Sequence, residues 1–443
     1  MRPSDPEPNH DGGLVRALGV AGLAANIVNT TIGAGIFVLP ASVALLMGAA
    51  APLAFVVCAA AMGLMVTSFA LAGSRVSVTG GIFGYAETAF GRYFGFIAGA
   101  LLFINACLGV SSVGSAFTGF VGKVFPVMAN QTAKMLLLLV VFTVLAAINI
   151  RGVKSGARAV GTVTIAKLIP IFVFIGAGLF FIRPELIAWP GWPGAKPLGE
   201  SVLLLVFAFS GIEIALAPSG EVKNPARTVP RAIFGALLTT TLLYIGIQFV
   251  TQGVLGADMP QHKEAPLAEA ASRFLGTAGV LLISVGAIVS AFGFITSDML
   301  SSPRTLYALS SDGIVPTFFA RVHPRFRTPY VAIITYAVIT YLLAFSSTFE
   351  QLVVLSNVTL LLLYLLGCSS ALVLMRRDVR TAGEPLHFPG AVAVPILASV
   401  VIIWILSHAT AKELGLSAAY LGLASVLYVF RRRFAPASGV PPG

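Results

Sequence analysis

The chain has 443 residues, of which 57% are hydrophobic and only 10% are charged, and its mean hydropathy is +0.93. A soluble domain usually carries about 25% charged residues. So few charges cannot cover a water-soluble surface, which excludes a cytosolic enzyme, a secreted domain and a disordered protein. The composition instead predicts a membrane protein that crosses the bilayer several times.

Twelve apolar runs of about 20 residues predict twelve transmembrane segments. The runs are continuous rather than alternating, so they predict helices, and we expect an all-α protein. They cover residues 18–46, 51–72, 93–121, 132–150, 159–182, 198–219, 230–253, 275–300, 330–346, 350–375, 391–411 and 414–430. Residues 1–16 and 431–443 are predicted to be polar tails.

The positions of the basic residues predict the orientation of these segments. Twenty of the 28 Lys and Arg residues fall in the two tails and in the alternate loops that share their side, and seven fall in the other loops. Because cytoplasmic loops carry the excess of Lys and Arg, both termini are predicted to be cytoplasmic. The net charge of +11 is then a topology signal, and we expect no nucleic-acid partner. The expected location is the plasma membrane, in particular a bacterial inner membrane.

The first and sixth segments are both interrupted by glycine near their middle. The first contains Thr31, Ile32, Gly33, Ala34 and Gly35, and the sixth contains residues 210–213, which read SGIE. Because these segments are five apart, a repeat of segments 1–5 by segments 6–10 must be inverted in the membrane. Paired interrupted helices in inverted repeats indicate the central site of a transporter. The predicted units are 17–182, 198–375 and a peripheral pair of helices at 391–430.

A broken helix supplies the groups that bind a zwitterion. It frees N–H groups at the start of one half-helix and carbonyl groups at the end of the other. The N–H end suits a carboxylate and the carbonyl end suits an ammonium group or a cation. An α-amino acid offers both groups. The alternative interpretation is that the glycines only allow close helix packing, but two symmetry-related breaks favour a binding site.

Four stretches of the sequence resemble those of amino-acid permeases in the amino acid–polyamine–organocation superfamily. Two of them are the interrupted segments, residues 31–40 (TIGAGIFVLP) and residues 207–231 (FAFSGIEIALAPSGEVKNPARTVPR). The others are loop motifs, residues 79–85 (TGGIFGY) and residues 310–316 (SSDGIVP). The resemblance spans nearly the whole chain. It implies a LeuT-type fold with ten core helices, two of them broken, and two peripheral helices.

The resemblance also implies a substrate site around the two breaks. The N–H groups of Gly33, Ala34 and Gly35 would hold the substrate carboxylate. The α-amino group would be held by the carbonyls of Thr31, Phe207 and Ser210, with the Phe207 ring as an aromatic gate. The side-chain pocket would be lined by three residues of segment 3, namely Asn105, Ala106 and Val110. Two further residues, Ile32 and Gly211, complete the breaks.

Lys167 is one of three charged residues predicted to lie well inside a transmembrane segment, where ionisable groups are costly and usually functional. By the resemblance, a lysine here replaces the sodium ion of sodium-coupled relatives and meets carbonyls of segment 1 and a serine of segment 8, for which we choose Ser290. Lys167 would carry the coupled proton or act as a fixed internal cation. The alternative is a structural counter-charge without a transport role.

The other two charged residues predicted inside transmembrane segments are acids, and their roles stay open at this point. Glu213 directly follows the second break, and Asp298 lies towards the cytoplasmic part of segment 8, where relatives place an aromatic gate residue. Both acids would bind a cationic substrate side chain or shuttle protons, or Asp298 would pair with a basic residue such as Arg304. Tyr364 is a candidate cytoplasmic gate, although simple packing is the favoured explanation.

These features predict a secondary transporter of amino acids that works by alternating access, and not an enzyme. The uncharged pocket favours neutral or hydrophobic substrates, and Lys167 favours protons as the coupling ion. Exchange of cationic amino acids or polyamines is the alternative. A membrane enzyme would need a catalytic motif that the sequence lacks, and a channel would need a pore-lining ring. We expect no cofactor and no metal. The lipid bilayer is the expected surrounding, and an accessory subunit stays open.

Overall fold

In a computed structural model of the protein, residues 19–76, 81–152, 157–189, 191–211, 225–311, 313, 315–381 and 385–434 are described. Within these ranges the regular structure is helical throughout, which confirms the all-α prediction. The α-helices are α1 (Val20–Thr31), α2 (Gly35–Met47), α3 (Ala51–Gly73), α4 (Ile82–Phe90), α5 (Arg92–Val124), α6 (Gln131–Arg151), α7 (Ala157–Gly178), α8 (Ala195–Phe209), α9 (Pro225–Leu255), α10 (Pro266–Ser301), α11 (Pro303–Ser311), α12 (Tyr330–Ser346), α13 (Phe349–Arg376), α14 (Ala393–Leu406) and α15 (Ala411–Phe434).

The long apolar helices have the length and composition of membrane spans. Seven helical stretches among the described residues are long and apolar enough to cross a bilayer: Gly35–Gly73, Arg92–Val124, Gln131–Arg151, Arg231–His262, Pro266–Ser311, Phe349–Arg376 and Ala411–Phe430. Three shorter apolar helices cover Lys167–Phe181, Tyr330–Ser346 and Ala393–Leu406. The protein is therefore a multi-pass membrane protein. The arrangement as twelve spans in two inverted repeats stays a prediction.

The centre of the bundle is α5, which packs against α13, α10, α4 and α12. The two half-helices of the first apolar run have different neighbours, because α1 packs on α9 whereas α2 packs on α8. The short helices α4 and α11 lie in connections that the sequence predicts as loops. Because α1 and α2 contact different parts of the bundle, the residues between them sit where several helices meet.

Loops that the sequence assigns to the same side of the membrane contact each other. On one side, Arg75 at the end of α3 forms an ion pair with Asp378 after α13, with 3.4 Å between the charged atoms. On the other side, Lys134 at the start of α6 lies 3.5 Å from Glu264 before α10. This pairing agrees with loops that alternate between two faces of a bilayer.

Helices α7 and α10 approach closely because α10 carries a glycine at their contact. A Cβ atom built on Gly286 would lie 2.6 Å from Cγ and 2.9 Å from Cβ of Pro170. The proline ring is fused to its own backbone, so it cannot swing away as a flexible side chain would. The separation of these two helices is therefore set by Gly286.

We expect Gly286→Ala to destabilise the protein, because overpacking a close contact costs about 1–3 kcal/mol and outweighs the gain of about 1 kcal/mol in helix propensity. Gly235→Ala in α9 is the matched control, since a Cβ there meets nothing within 4 Å. Thermal unfolding in one detergent should show a lower Tm for Gly286→Ala and an unchanged or higher Tm for the control. A Gly286→Ala protein as stable as the wild type would contradict this packing.

Candidate functional site

The first break separates α1 from α2 by three residues. Helix α1 ends at Thr31, and Ile32 leaves the helical region with φ −75° and ψ 87°. The N–H of Gly33 donates back to the carbonyl of Thr31 at 2.9 Å. Gly35 begins α2, and N–H groups in the first turn of a helix have no partner within that helix. The break therefore presents a carbonyl end and an N–H end next to each other.

The second break follows α8 and lies against the first. Helix α8 ends at Phe209, and Ser210 is extended with φ −64° and ψ 152°. Gly211 has φ +98°, a left-handed conformation that glycine adopts without strain. A Cβ on Gly211 would lie 3.3 Å from Cγ2 of Thr30 and 3.4 Å from its carbonyl oxygen. The two breaks predicted from the sequence thus meet in space.

Lys167 holds the carbonyl end of α1. Its side chain is 7% exposed, and its Nζ donates to the carbonyl of Ile32 at 2.7 Å and to the carbonyl of Asn29. The hydroxyl of Ser290 on α10 reaches the same Ile32 carbonyl at 3.5 Å. A buried ammonium group is tolerated where it is hydrogen-bonded, and here the released carbonyls supply the acceptors. Lys167 and Ser290 thus both donate to the same atom of the break, the carbonyl oxygen of Ile32.

Tyr244 joins the two breaks, and sequence reasoning missed it. This fully buried side chain of α9 has its hydroxyl 3.1 Å from the carbonyl of Thr31 and 2.8 Å from the carbonyl of Ala208. A hydroxyl carries one proton, so the two carbonyls share a single donor. Asn357 on α13 also contacts α8, since its amide donates to the carbonyl of Leu203 at 2.6 Å, six residues before that helix ends. A polar tip in the middle of an apolar run was the only signal for either residue.

The Phe207 ring covers the start of α2. A Cβ on Gly35 would lie 2.9 Å from Cδ1 of Phe207, so the ring needs glycine at that position. The same ring packs edge-on against Phe349 at the start of α13, with 6.2 Å between centroids and 88° between planes. Phe294 of α10 approaches Gly33, at 3.9 Å from a built Cβ. Two aromatic side chains therefore border the break, one at Gly35 and one at Gly33.

The three residues predicted to line the pocket from α5 have different surroundings. The amide of Asn105 donates to the carbonyl of Ser356 at 2.8 Å and to its hydroxyl at 3.0 Å, which ties α5 to α13. Val110 is fully buried, and Ala106 is half-buried against the core. Asn105 therefore acts in this structure as a link between helices, and its amide group is already engaged.

The Asp298 carboxylate lies farther along α10. It accepts hydrogen bonds from the hydroxyl of Tyr336 on α12 and, at 2.8 Å, from the hydroxyl of Ser302. Eight residues separate it from Ser290, which corresponds to about 12 Å along a helix. The sequence suggested a pair with Arg304 as one alternative, but that side chain is exposed and none of the ion pairs found among the described residues joins the two. Asp298 is thus separate from the two breaks and is held by neutral donors.

The remaining candidates lie elsewhere. Tyr364 is fully buried, and its ring packs on Phe69 with 5.1 Å between centroids. Glu213 falls outside the described residues. Within the described ranges, no group of three His, Cys, Asp or Glu side chains is placed to hold a metal ion.

Comparison with known proteins gives a family match over nearly the whole chain. The sequence profile of the family described as amino acid permease matches residues 18–426. This region includes both breaks, Lys167 and Tyr244, and it extends into α15.

Individual relatives agree with this match. The serine/threonine exchanger SteT of Bacillus subtilis (strain 168) is 29% identical, over 85% of this chain and 88% of its own length. The branched-chain amino acid permease BcaP of the same organism is 28% identical, over 87% of this chain and 86% of its own. The cationic amino acid transporter 4 of Mus musculus is 29% identical, over 87% of this chain and 64% of its own. The chain therefore belongs to the amino acid permease family.

Proposed function

We propose that this permease is a secondary active transporter that carries neutral or hydrophobic amino acids across the plasma membrane, coupled to protons, by alternating access. Its twelve spans would form a LeuT-type pair of inverted repeats with both termini in the cytoplasm. The proposal rests mainly on the hydrogen bonds at the first break. The side chains of Lys167 and Tyr244 donate to the carbonyls at the end of α1, directly beside the uncapped N-terminus of α2.

The two breaks fit the two charged ends of an amino acid. The N–H groups at the start of α2, those of Ala34 and Gly35, bind the substrate carboxylate, because the N-terminus of a helix favours an anion. The N–H of Gly33, the third group expected from the sequence, instead donates to the carbonyl of Thr31.

The carbonyls at the end of α1 already accept hydrogen bonds from Lys167, Ser290 and Tyr244. The α-amino group would therefore be received mainly at the end of α8, by carbonyls that include that of Phe207, which also accepts from the hydroxyl of Ser210 at 2.8 Å. The Phe207 ring lies over Gly35, so it covers the bound substrate as a gate.

The groups around the site favour an uncharged substrate side chain. The amide of Asn105 is engaged by Ser356, and the carboxylate of Asp298 lies about 12 Å along α10 from Ser290, which contacts the first break. A cationic side chain would need an acid close to the breaks. Two of the relatives above are named for uncharged amino acids, serine, threonine and branched-chain residues, which supports the same choice.

The position of Lys167 supports proton coupling. Its ammonium group makes charge-assisted hydrogen bonds to Ile32 and Asn29, and such bonds are about twice as strong as neutral ones. Loss of the proton would weaken the hold on α1, and α1 is the half-helix whose movement would open the site to one side. Proton exchange at Lys167 would therefore be linked to the conformational change.

The second candidate is an exchanger of cationic amino acids or polyamines. Its support is the similarity to the cationic amino acid transporter 4, together with the acid Glu213 just after the second break. In this case Glu213, rather than Lys167, would determine which substrate charge the site accepts.

We expect purified protein in liposomes to take up labelled neutral amino acids saturably, and faster when the external pH is lower than the internal pH. Counterflow with unlabelled substrate inside should stimulate uptake, as it does for a carrier and not for a channel. Uptake of arginine or polyamines alone, lost in Glu213→Gln, would instead support the second candidate.

Lys167→Met should lower uptake driven by a pH gradient at least about ten-fold, which corresponds to roughly 1.4 kcal/mol in the barrier, because it removes the group that would exchange the coupled proton. Two carbonyls then lose a donor, at a cost of about 1–3 kcal/mol each, so folding is checked by thermal unfolding and by counterflow. Lys123→Met, at the exposed end of α5, is the control and should behave as the wild type. Full pH-dependent uptake in Lys167→Met would remove the lysine from coupling.

Tyr244→Phe should weaken substrate binding and lower the stability by about 1–3 kcal/mol, because two buried carbonyls lose their shared donor. Tyr420→Phe is the matched control, since its hydroxyl makes one bond of 2.8 Å, to the carbonyl of Ala100, and contacts neither break. The KM for uptake should rise in Tyr244→Phe and stay constant in Tyr420→Phe. Equal KM values in both variants would show that the breaks do not depend on this hydroxyl.

A further inference from the structure

A separate groove of about 600 Å³ lies on the outside of the bundle, between α3, α9 and the start of α14. Its walls include Ala60 and Gly63 of α3, Phe234 and Leu237 of α9, and Phe388 of the loop before α14. None of these residues takes part in the two breaks. Because α3 and α9 belong to stretches that qualify as membrane spans, a groove on their outer surface opens towards lipid.

The lining of the groove is apolar and leaves no polar side chain without a hydrogen-bond partner. Thr67 is the one lining residue with a polar side chain, and its hydroxyl donates to the carbonyl of Gly63 at 2.6 Å. No polar group of the lining side chains therefore needs a partner from a ligand. The small residues of α3 make the surface concave, since a larger side chain at Ala60 or Gly63 would fill the space. A hydrocarbon chain suits such a groove.

One end of the groove is fixed by the loop after α13. The hydroxyl of Ser74 accepts from the N–H of Leu386 at 3.0 Å, and the carbonyl of Arg75 accepts from the N–H of Thr381 at 3.0 Å. Asp378 also pairs with Arg75, and hydrogen bonding from Arg380 holds the pKa of its carboxyl below the usual value. The ion pairs are therefore charged at neutral pH, and the loop that carries Leu386 and Phe388 closes this end of the groove.

Basic side chains lie at the same end. Arg231 is exposed on α9, three residues before Phe234 and thus about one helical turn away on a neighbouring face. His387 is exposed between the two lining residues of the loop, Leu386 and Phe388. This end belongs to the side of the protein that carries most of the Lys and Arg residues. Basic pockets between membrane helices on that side bind anionic lipid head groups.

We propose that the groove holds an acyl chain of an anionic phospholipid from the leaflet on this basic side, with the phosphate of the head group at Arg231. The apolar walls accept the chain, and the arginine selects the anionic head group. The occupant lies between α3 and α9, and α9 also carries Tyr244, so the lipid supports the helix that joins the two breaks. The site is independent of the transported substrate and of the coupling ion.

The test is the binding of two phospholipids with identical acyl chains to the delipidated full-length protein, measured by native mass spectrometry and by thermal unfolding. The wild type should retain phosphatidylglycerol in preference to phosphatidylcholine, and phosphatidylglycerol should raise its Tm. Arg231→Gln should reduce the affinity for phosphatidylglycerol about five-fold, as expected for one basic group at a lipid head group. Ala60→Phe, which fills the groove, should reduce the binding of both lipids.

Two matched variants serve as controls. Arg376→Gln removes an exposed arginine at the end of α13, and Ala147→Phe enlarges an exposed residue of α6, and both should bind lipid as the wild type does. Equal binding of the two lipids to the wild type would overturn the proposal, as would unchanged binding in Arg231→Gln and Ala60→Phe. A dimer that forms through this face and is lost in Ala60→Phe would assign the groove to a second copy of the chain, and would also overturn it.

Discussion

The carbonyl groups released where α1 ends are the constraint on which the centre of this protein depends. In the interior of a membrane protein there is little water to hydrate them, and each unsatisfied backbone group costs several kcal/mol. Most of the donors come from other helices: Lys167 of α7 for Asn29 and Ile32, and Tyr244 of α9 for Thr31. The Thr31 carbonyl accepts in addition from the nearby N–H of Gly33. The interruption of one helix therefore fixes the positions of two others.

This arrangement links stability to the proposed transport. A helix that satisfies its own backbone can move as a rigid rod, but α1 is held by side chains whose hydrogen bonds can be exchanged. Tyr244 reaches both α1 and α8, so the two half-helices that border the substrate site share one hydroxyl. Lys167 provides the stronger contact because it is charged, and protonation is a change that an external gradient can drive. The same groups that stabilise the fold would in this way control its movement.

The sequence predicted most of this framework but few of its connections. Continuous apolar runs and the paired glycine interruptions suffice for the helices and for the two breaks, because both patterns are local. Lys167 could be found as well, since a charge inside an apolar run is conspicuous. Tyr244, Asn357 and Phe349 could not, because tyrosine, asparagine and phenylalanine occur elsewhere in membrane helices without a special role, and only the packing shows which carbonyl or ring each one meets. The hydrogen bond of the Asn105 amide could not be predicted either, because it depends on how closely α5 and α13 approach.

The most direct test of the account is the proton flux that accompanies substrate entry. Purified protein would be reconstituted in liposomes that enclose a pH-sensitive dye, without an initial pH gradient, and a neutral amino acid would be added outside. If Lys167 couples the cycle to protons, the interior acidifies in proportion to the amino acid taken up, and it does not acidify with Lys167→Met. Amino-acid uptake by the wild type without acidification would contradict proton coupling and leave the lysine a structural cation.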